Sequence, residues 1–215
     1  MSSDNGNDKG DMLAHACEAL NVNTTLCKGE TASAGQLEEL IHNKQLGLDL
    51  CAVHETDTEA LNALCKAYHI YESYTEHADR KAESDELEHL AHAAAVEKML
   101  IKKEMARRHH LLSKISAAYG IRKHVIAKRE HSPSDSDLYT IKTGQEAAET
   151  LGKMQDLQHW LLRAYSIHHA LTKSDNKRLE EDELEHLVKA AELEKILIDR
   201  EEASLASAAT LLNFN

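Results

Sequence analysis

Apolar residues recur at helical spacing through most of this chain. Leu46, Leu50, Val53, Leu61, Leu64, Cys65, Tyr68 and Tyr71 fall on one face when each residue is turned by about 100°. The single proline comes only at position 133. The pattern predicts a first long helix over 33–79, opened by a capping box of Ser33 and Gln36. The polar run Asp79 to Ser84 reads as a turn. A second helix is predicted over 84–130, with Leu111, Leu112, Ile115, Tyr119, Val125 and Ile126 along its seam and Gly120 as a candidate bend. His131 to Asp137, which holds the proline, is the clearest helix breaker. Thr143 with Glu146 reads as a second capping box, opening a third helix over 143–173. Ser174 to Lys177 is a predicted turn, and a fourth helix follows over 178–211. Ahead of all this, residues 1–9 read as a disordered tail, Asp11 to Leu20 as a short helix and Asn21 to Gly29 as a loop.

The two halves of this pattern are copies. Asp85-Glu86-Leu87-Glu88-His89-Leu90 returns 97 residues later as Asp182-Glu183-Leu184-Glu185-His186-Leu187. At that fixed offset, Lys81 to Glu104 matches Arg178 to Glu201 with 14 identities, and Ala67-Tyr68 falls on Ala164-Tyr165. Similarity at one constant offset marks a duplicated supersecondary unit. The expected fold is all-α: an elongated antiparallel helical bundle of two repeated long hairpins, with an irregular N-terminal segment. Its parts would be residues 1–30, irregular and partly disordered; 31–131, the first hairpin; and 138–215, the second. Neither hairpin can bury its apolar face alone, so docking them gives a four-helix bundle.

Composition agrees with helices. Among 215 residues there are 8 glycines and one proline, and the aromatic share of 4% leaves a core of aliphatic residues. The net charge of −12 argues against nucleic acid as a partner of the whole surface. No apolar run approaches the length of a membrane span. If Met1 is the native start, the reading is a cytoplasmic protein with reduced thiols. Cys17, Cys27, Cys51 and Cys65 all fall in the first third, beside the sequon Asn23-Thr24-Thr25. If a signal peptide has been removed, the chain would instead be a disulfide-stapled extracellular or cell-surface protein. Cys51 and Cys65, on one predicted helix, would be too far apart to pair. Cys17 and Cys27 would then bridge to them, in either combination.

Glu86-Leu-Glu-His89 and Glu183-Leu-Glu-His186 both have the form Glu-x-x-His. On a helix these side chains share a face and can reach one metal. In helix count, pairing and these two motifs the chain resembles the ferritin-like di-iron bundles. That resemblance implies iron held by Glu86, His89, Glu183 and His186, plus one carboxylate from each partner helix. Asp57, near His54 on the apolar face of the first helix, is the candidate in one half. Its counterpart in the other half is Met154, and Glu146 and Glu149 sit off the Leu161/Tyr165/His168 face. The competing reading is helix packing. Leu87, Leu90, Ala91, Ala94 and Ile101 make one apolar stripe, mirrored by Leu184, Leu187, Val188, Ala191 and Ile198.

Lys102 to Arg129 reverses the overall charge. Nine basic residues against Glu104 give +8, leaving −20 elsewhere. Arg107, Arg108, Arg122 and Lys123 are expected to meet acidic surface of the same chain rather than form a nucleic-acid platform. No catalytic signature appears. The expectation is a non-enzymatic helical-bundle protein, structural or coat-like, acting through its surface on a protein partner or on itself, without a cofactor. The alternative is the ferritin-like metal binder.

Overall fold

The computed structural model describes residues 11–76, 81–129, 133–152, 155–173 and 178–214, with backbone alone at 155 and 156. The predicted tail over 1–9, turn residues 79–80 and 174–177, His131, Ser132 and Met154 lie outside the described residues. Among those described there are eight helices and no strand, so the chain is all-α. The helices are α1 (Met12–Cys27), α2 (Ala34–His42), α3 (Lys44–Val53), α4 (Thr58–Glu76), α5 (Ser84–Lys128), α6 (Asp135–Leu151), α7 (Gln155–Thr172) and α8 (Glu181–Phe214).

The predicted first helix over 33–79 is corrected to three. Ser33 and Gln36 do form the capping box that starts α2. The chain then breaks at Asn43 and again between His54 and Asp57. Glu55 adopts φ 47°, a left-handed conformation uncommon outside glycine, and Asp57 Oδ1 accepts the Ala60 N–H at 2.8 Å to start α4. Neither break uses glycine or proline, and the second restarts on the Asp57 cap. Because the face rotates at each break, Val53 and Leu61 are exposed rather than part of the core.

The third helix is corrected in the same way. It begins at Asp135, where Ser134 and Asp137 form the capping box, and Thr143 lies inside α6 with its hydroxyl donating to Thr140 O. Gly152 ends α6, and α7 follows. The N-terminal segment is no irregular appendage either. α1 runs through Cys27, with Leu13, Ala16, Leu20, Val22 and Leu26 buried. Thr24 and Thr25 stay helical because each hydroxyl donates to a carbonyl one turn back, Leu20 O and Asn21 O.

The fold divides into two compact units. Unit 1 comprises the described residues within Met1–Ala106 and Ala206–Asn215. There α1 packs on α3, and α2 packs on α4. Leu13, Leu40, Leu50, Tyr71, Leu90 and Ile101 are fully buried. Unit 2 comprises those within Arg107–Leu205. There α6 packs on α7, and Ile115, Ile141, Leu157, Leu161, Leu187 and Leu197 are buried.

The two stretches that match at the 97-residue offset are buried alike. From Ser84 to Glu104 of α5 and from Glu181 to Glu201 of α8, equivalent residues are equally buried except at 94/191 and 98/195. Both helices bury the row 90/93/97/100/104 and its counterpart 187/190/194/197/201. The stripe inferred from Leu87, Ala91 and Ala94 is therefore displaced. Ala91 and Val188 are exposed, and each buried row carries two glutamates.

Candidate functional site

The repeated Glu-x-x-His begins a helix in both copies. Glu86 Oε2 accepts the N–H of Glu83 at 2.9 Å, and Glu183 Oε2 accepts the N–H of Glu180 at 3.2 Å. Glu83 and Glu180 are equivalent positions, and their carbonyls accept the first helical bonds, from Leu87 and Leu184. Each motif glutamate thus satisfies a backbone donor that a helix start leaves without a partner. Glu86 also accepts from Tyr74 Oη at 3.0 Å, which ties α4 to α5. His186 Nδ1 donates to Asp182 O at 2.7 Å, and its ring lies 5.0 Å from that of Trp160. His89 is half-buried and lines a groove with His69 and His92. Asp57 is engaged as the cap of α4. Among the described residues, no group of three or more His, Cys, Asp or Glu side chains is placed to hold a metal ion. Glu183→Ala is expected to lower stability by about 1 kcal/mol, the usual cost of a lost cap, in urea unfolding.

The polar chemistry of the interior lies instead at four glutamates outside those motifs, which spacing alone does not single out. In unit 1, Glu97 is 3% exposed. Its Oε2 accepts from Asn23 Nδ2 at 2.8 Å, and Tyr71 Oη donates to Asn23 Oδ1 at 2.6 Å. Among the described residues, no cation is part of this chain of bonds. Burial therefore raises the Glu97 carboxyl to about 8, against a smaller lowering by Asn23. The same burial, with the Glu97 charge, pushes the Tyr71 hydroxyl well up. Seven residues on, Glu104 is fully buried and lies 3.0 Å from His54 Nε2.

In unit 2 the equivalent Glu194 faces a cation. Arg122 donates to both carboxylate oxygens, Nε at 3.0 Å and Nη2 at 2.9 Å, and both side chains are almost wholly buried. This is the two-pronged geometry in which a buried charge is best compensated. Glu201, the counterpart of Glu104, accepts from Arg108 Nη1 at 3.1 Å and Arg200 Nη2 at 3.1 Å. His168, which replaces Tyr71 at the repeat offset, is fully buried. Burial and then Arg122 lower its imidazole to about 3. Arg122 Nη1 and both His168 nitrogens have no hydrogen-bond partner among the described residues.

These contacts account for two residues of the basic stretch, Arg108 and Arg122, which turn inward onto acids of the same unit. They also bear on the sequon. Asn23 is fully buried with Nδ2 donating to Glu97, so a glycan on that nitrogen is incompatible with this fold. Among the described residues, no disulfide joins Cys27, Cys51 or Cys65. Cys51 and Cys65 stand on separate helices, α3 and α4, so the continuous helix expected to hold them apart is absent. Burial, with the Cys65 charge as a lesser cause, raises the Cys51 thiol.

The surface of unit 2 carries an apolar groove of about 480 Å³. Tyr119, Ile126, Val188, Ala191 and Ile196 line it, with Lys123, Glu192 and Lys195 at its polar positions. Val188 is 38% exposed and Ile196 55%. Lys123 Nζ sits 5.6 Å above the Tyr119 ring. No protein-family model matches the chain, and neither a curated protein nor a solved structure does. Among the described residues, no helix is long and apolar enough to cross a membrane.

Proposed function

We propose that this is a non-enzymatic helical protein that works through its surface, by association with a second copy of itself. The observation that carries the reading is the apolar groove of unit 2, where Val188 and Ile196 are held out in solvent beside Tyr119 and Ile126. Exposed apolar side chains gathered in one place are more informative than scattered ones, because burying them is what association supplies. Among the described residues, Lys123 is the cation of the groove without an acidic partner, since Lys195 pairs with Asp199 and Glu192 stands beside them. Against a chain bearing −12, an acidic surface of the same protein is the occupant we propose.

The interior supports this reading in its own way. Glu86, Glu183 and Asp57, carboxylates that a di-iron centre would require, cap helices. Glu194 and Glu201 hold arginines. Each of these acids has a structural task in the fold. Sedimentation velocity over a concentration series tests the proposal. Wild type is expected to self-associate, and Ile196→Glu to weaken that association by about tenfold or more, the effect of losing one well-buried anchor. A wild type that stays monomeric at every concentration, or association indifferent to Ile196→Glu, would contradict it.

A further inference from the structure

Two side chains in the interior of unit 2 carry polar atoms that the fold does not satisfy. Arg122 Nη1 and both ring nitrogens of His168 are buried with no hydrogen-bond partner among the described residues. Both residues are fully buried, at 0% exposure. Buried polar groups are rarely left so, because taking them out of water is costly unless another bond replaces the lost one.

The 97-residue offset brings the two side chains into one arrangement. His168 matches Tyr71, and Glu194 matches Glu97. In unit 1 a single side chain joins the tyrosine to the glutamate. Tyr71 Oη donates to Asn23 Oδ1 at 2.6 Å, and Asn23 Nδ2 donates to Glu97 Oε2 at 2.8 Å. In unit 2 it is Arg122 that faces the carboxylate, with Nε and Nη2 both donating to Glu194. Nη1 is the nitrogen that Glu194 does not hold. The Arg122 charge is felt at the His168 ring, whose imidazole burial and then that charge hold at about 3. What differs between the units is the link from the ring to its neighbour. Asn23 offers Tyr71 an oxygen, whereas a guanidinium only donates, and an imidazole is shorter than a phenol.

We infer that internal water completes this link, one molecule bridging Arg122 Nη1 and a ring nitrogen of His168. A neutral imidazole presents one N–H and one bare nitrogen. Water accepts from Nη1 and donates to the bare nitrogen, so it serves both kinds of group at once. An anion could meet the guanidinium but not the bare nitrogen. Its charge would also be unbalanced, because Glu194 already compensates Arg122. A cation would face Arg122 directly. The two ring nitrogens lie on opposite edges, so a second water serves the other one. Sites of this kind, polar and fully enclosed, are where proteins hold structural water. The site lies inside unit 2 and stands independently of self-association.

The test uses the full-length protein, crystallised with bromide in place of chloride and resolved finely enough to show ordered water. The expected result is a water peak about 2.7–3.2 Å from Arg122 Nη1 and from one His168 nitrogen, with no anomalous bromide signal there. In solution, water-selective NMR should show cross-peaks between long-lived water and the carbon-bound ring protons of His168. His168→Phe, which assigns those protons, should lose the bridging peak in its own crystal structure. Circular dichroism checks that this variant folds, and the wild-type crystal and NMR results decide the matter if it does not. A direct bond from Arg122 Nη1 to His168 or to another protein group, a bromide signal between the two side chains, or absence of the water cross-peaks would overturn the assignment.

Discussion

Glu97→Gln is expected to stabilise the protein at neutral pH, whereas Glu194→Gln is expected to destabilise it. The two positions are equivalent in the repeat and equally buried, so the contrast isolates their partners. Glu97 meets Asn23 and no cation, and burial raises its carboxyl from an ordinary 4.5 to about 8. A carboxyl raised in the folded state contributes its stability below the unfolded value, and that contribution is lost as pH rises toward the folded value. Between pH 4.5 and 8 wild type therefore weakens, while a glutamine, which still accepts from Asn23, does not. At pH 7 the gain from Glu97→Gln is roughly 3 kcal/mol, since each pH unit above the ordinary carboxyl value costs wild type about 1.4 kcal/mol. The gain should vanish below pH 4.5.

In unit 2 the same substitution removes the charge facing Arg122. A buried guanidinium left without its anion costs about 3–5 kcal/mol. Trp160, the only tryptophan, lies in unit 2, so its fluorescence follows the loss there, while circular dichroism in urea follows both units. Replacing Arg122 and Glu194 together by apolar residues should recover much of that loss, because no unpaired charge then remains.

Gly144→Ala is the second large effect, at about 1–3 kcal/mol of destabilisation, the usual range for overpacking. A methyl group there would collide with the Cβ of Ala118 and lie 2.8 Å from the carbonyl oxygen of Lys114. Backbone atoms of a neighbouring helix do not swing aside as a flexible side chain does. Gly120→Ala is the matched control. Among the described residues nothing lies within 4 Å of a Cβ at that position, so alanine should stabilise α5 by about 0.5–1 kcal/mol through its helix preference. Trp160 fluorescence in urea reads both variants, since both positions belong to unit 2.

The helical class was legible because spacing and composition act over many residues at once. The second helix, with an expected span of 84–130 and an observed span of Ser84–Lys128, and the fourth, expected at 178–211 and observed at Glu181–Phe214, were legible in the same way. What periodicity hides is a break made without glycine or proline. The predicted first helix is interrupted at Asn43, which makes no side-chain cap, and before Asp57, which does, and apolar spacing carries on across both. Asp57 was conspicuous as an acid near an apolar face; its role is to accept the Ala60 N–H.

The interior glutamates were legible in principle. Glu97/Glu194 and Glu104/Glu201 are all among the identities of the repeat, and they fall on the row 90/93/97/100/104. Glu-x-x-His stands out in the sequence because a metal can use that spacing, whereas a lone glutamate inside an apolar row reads as solvent-facing. The partners of these glutamates were beyond reach from spacing. Asn23 stands 74 residues from Glu97, and Arg122 stands 72 from Glu194.

One buried glutamate position is held in two ways, beside Asn23 and Tyr71 with its carboxyl raised by burial in unit 1 and paired with Arg122 in unit 2, and the contrast in stability follows from that. A carboxyl-carbon NMR titration of Glu97, assigned by comparison with Glu97→Gln, tests it most directly. The predicted midpoint is about 8. A midpoint near 4.5, with the protein folded throughout, would contradict the account.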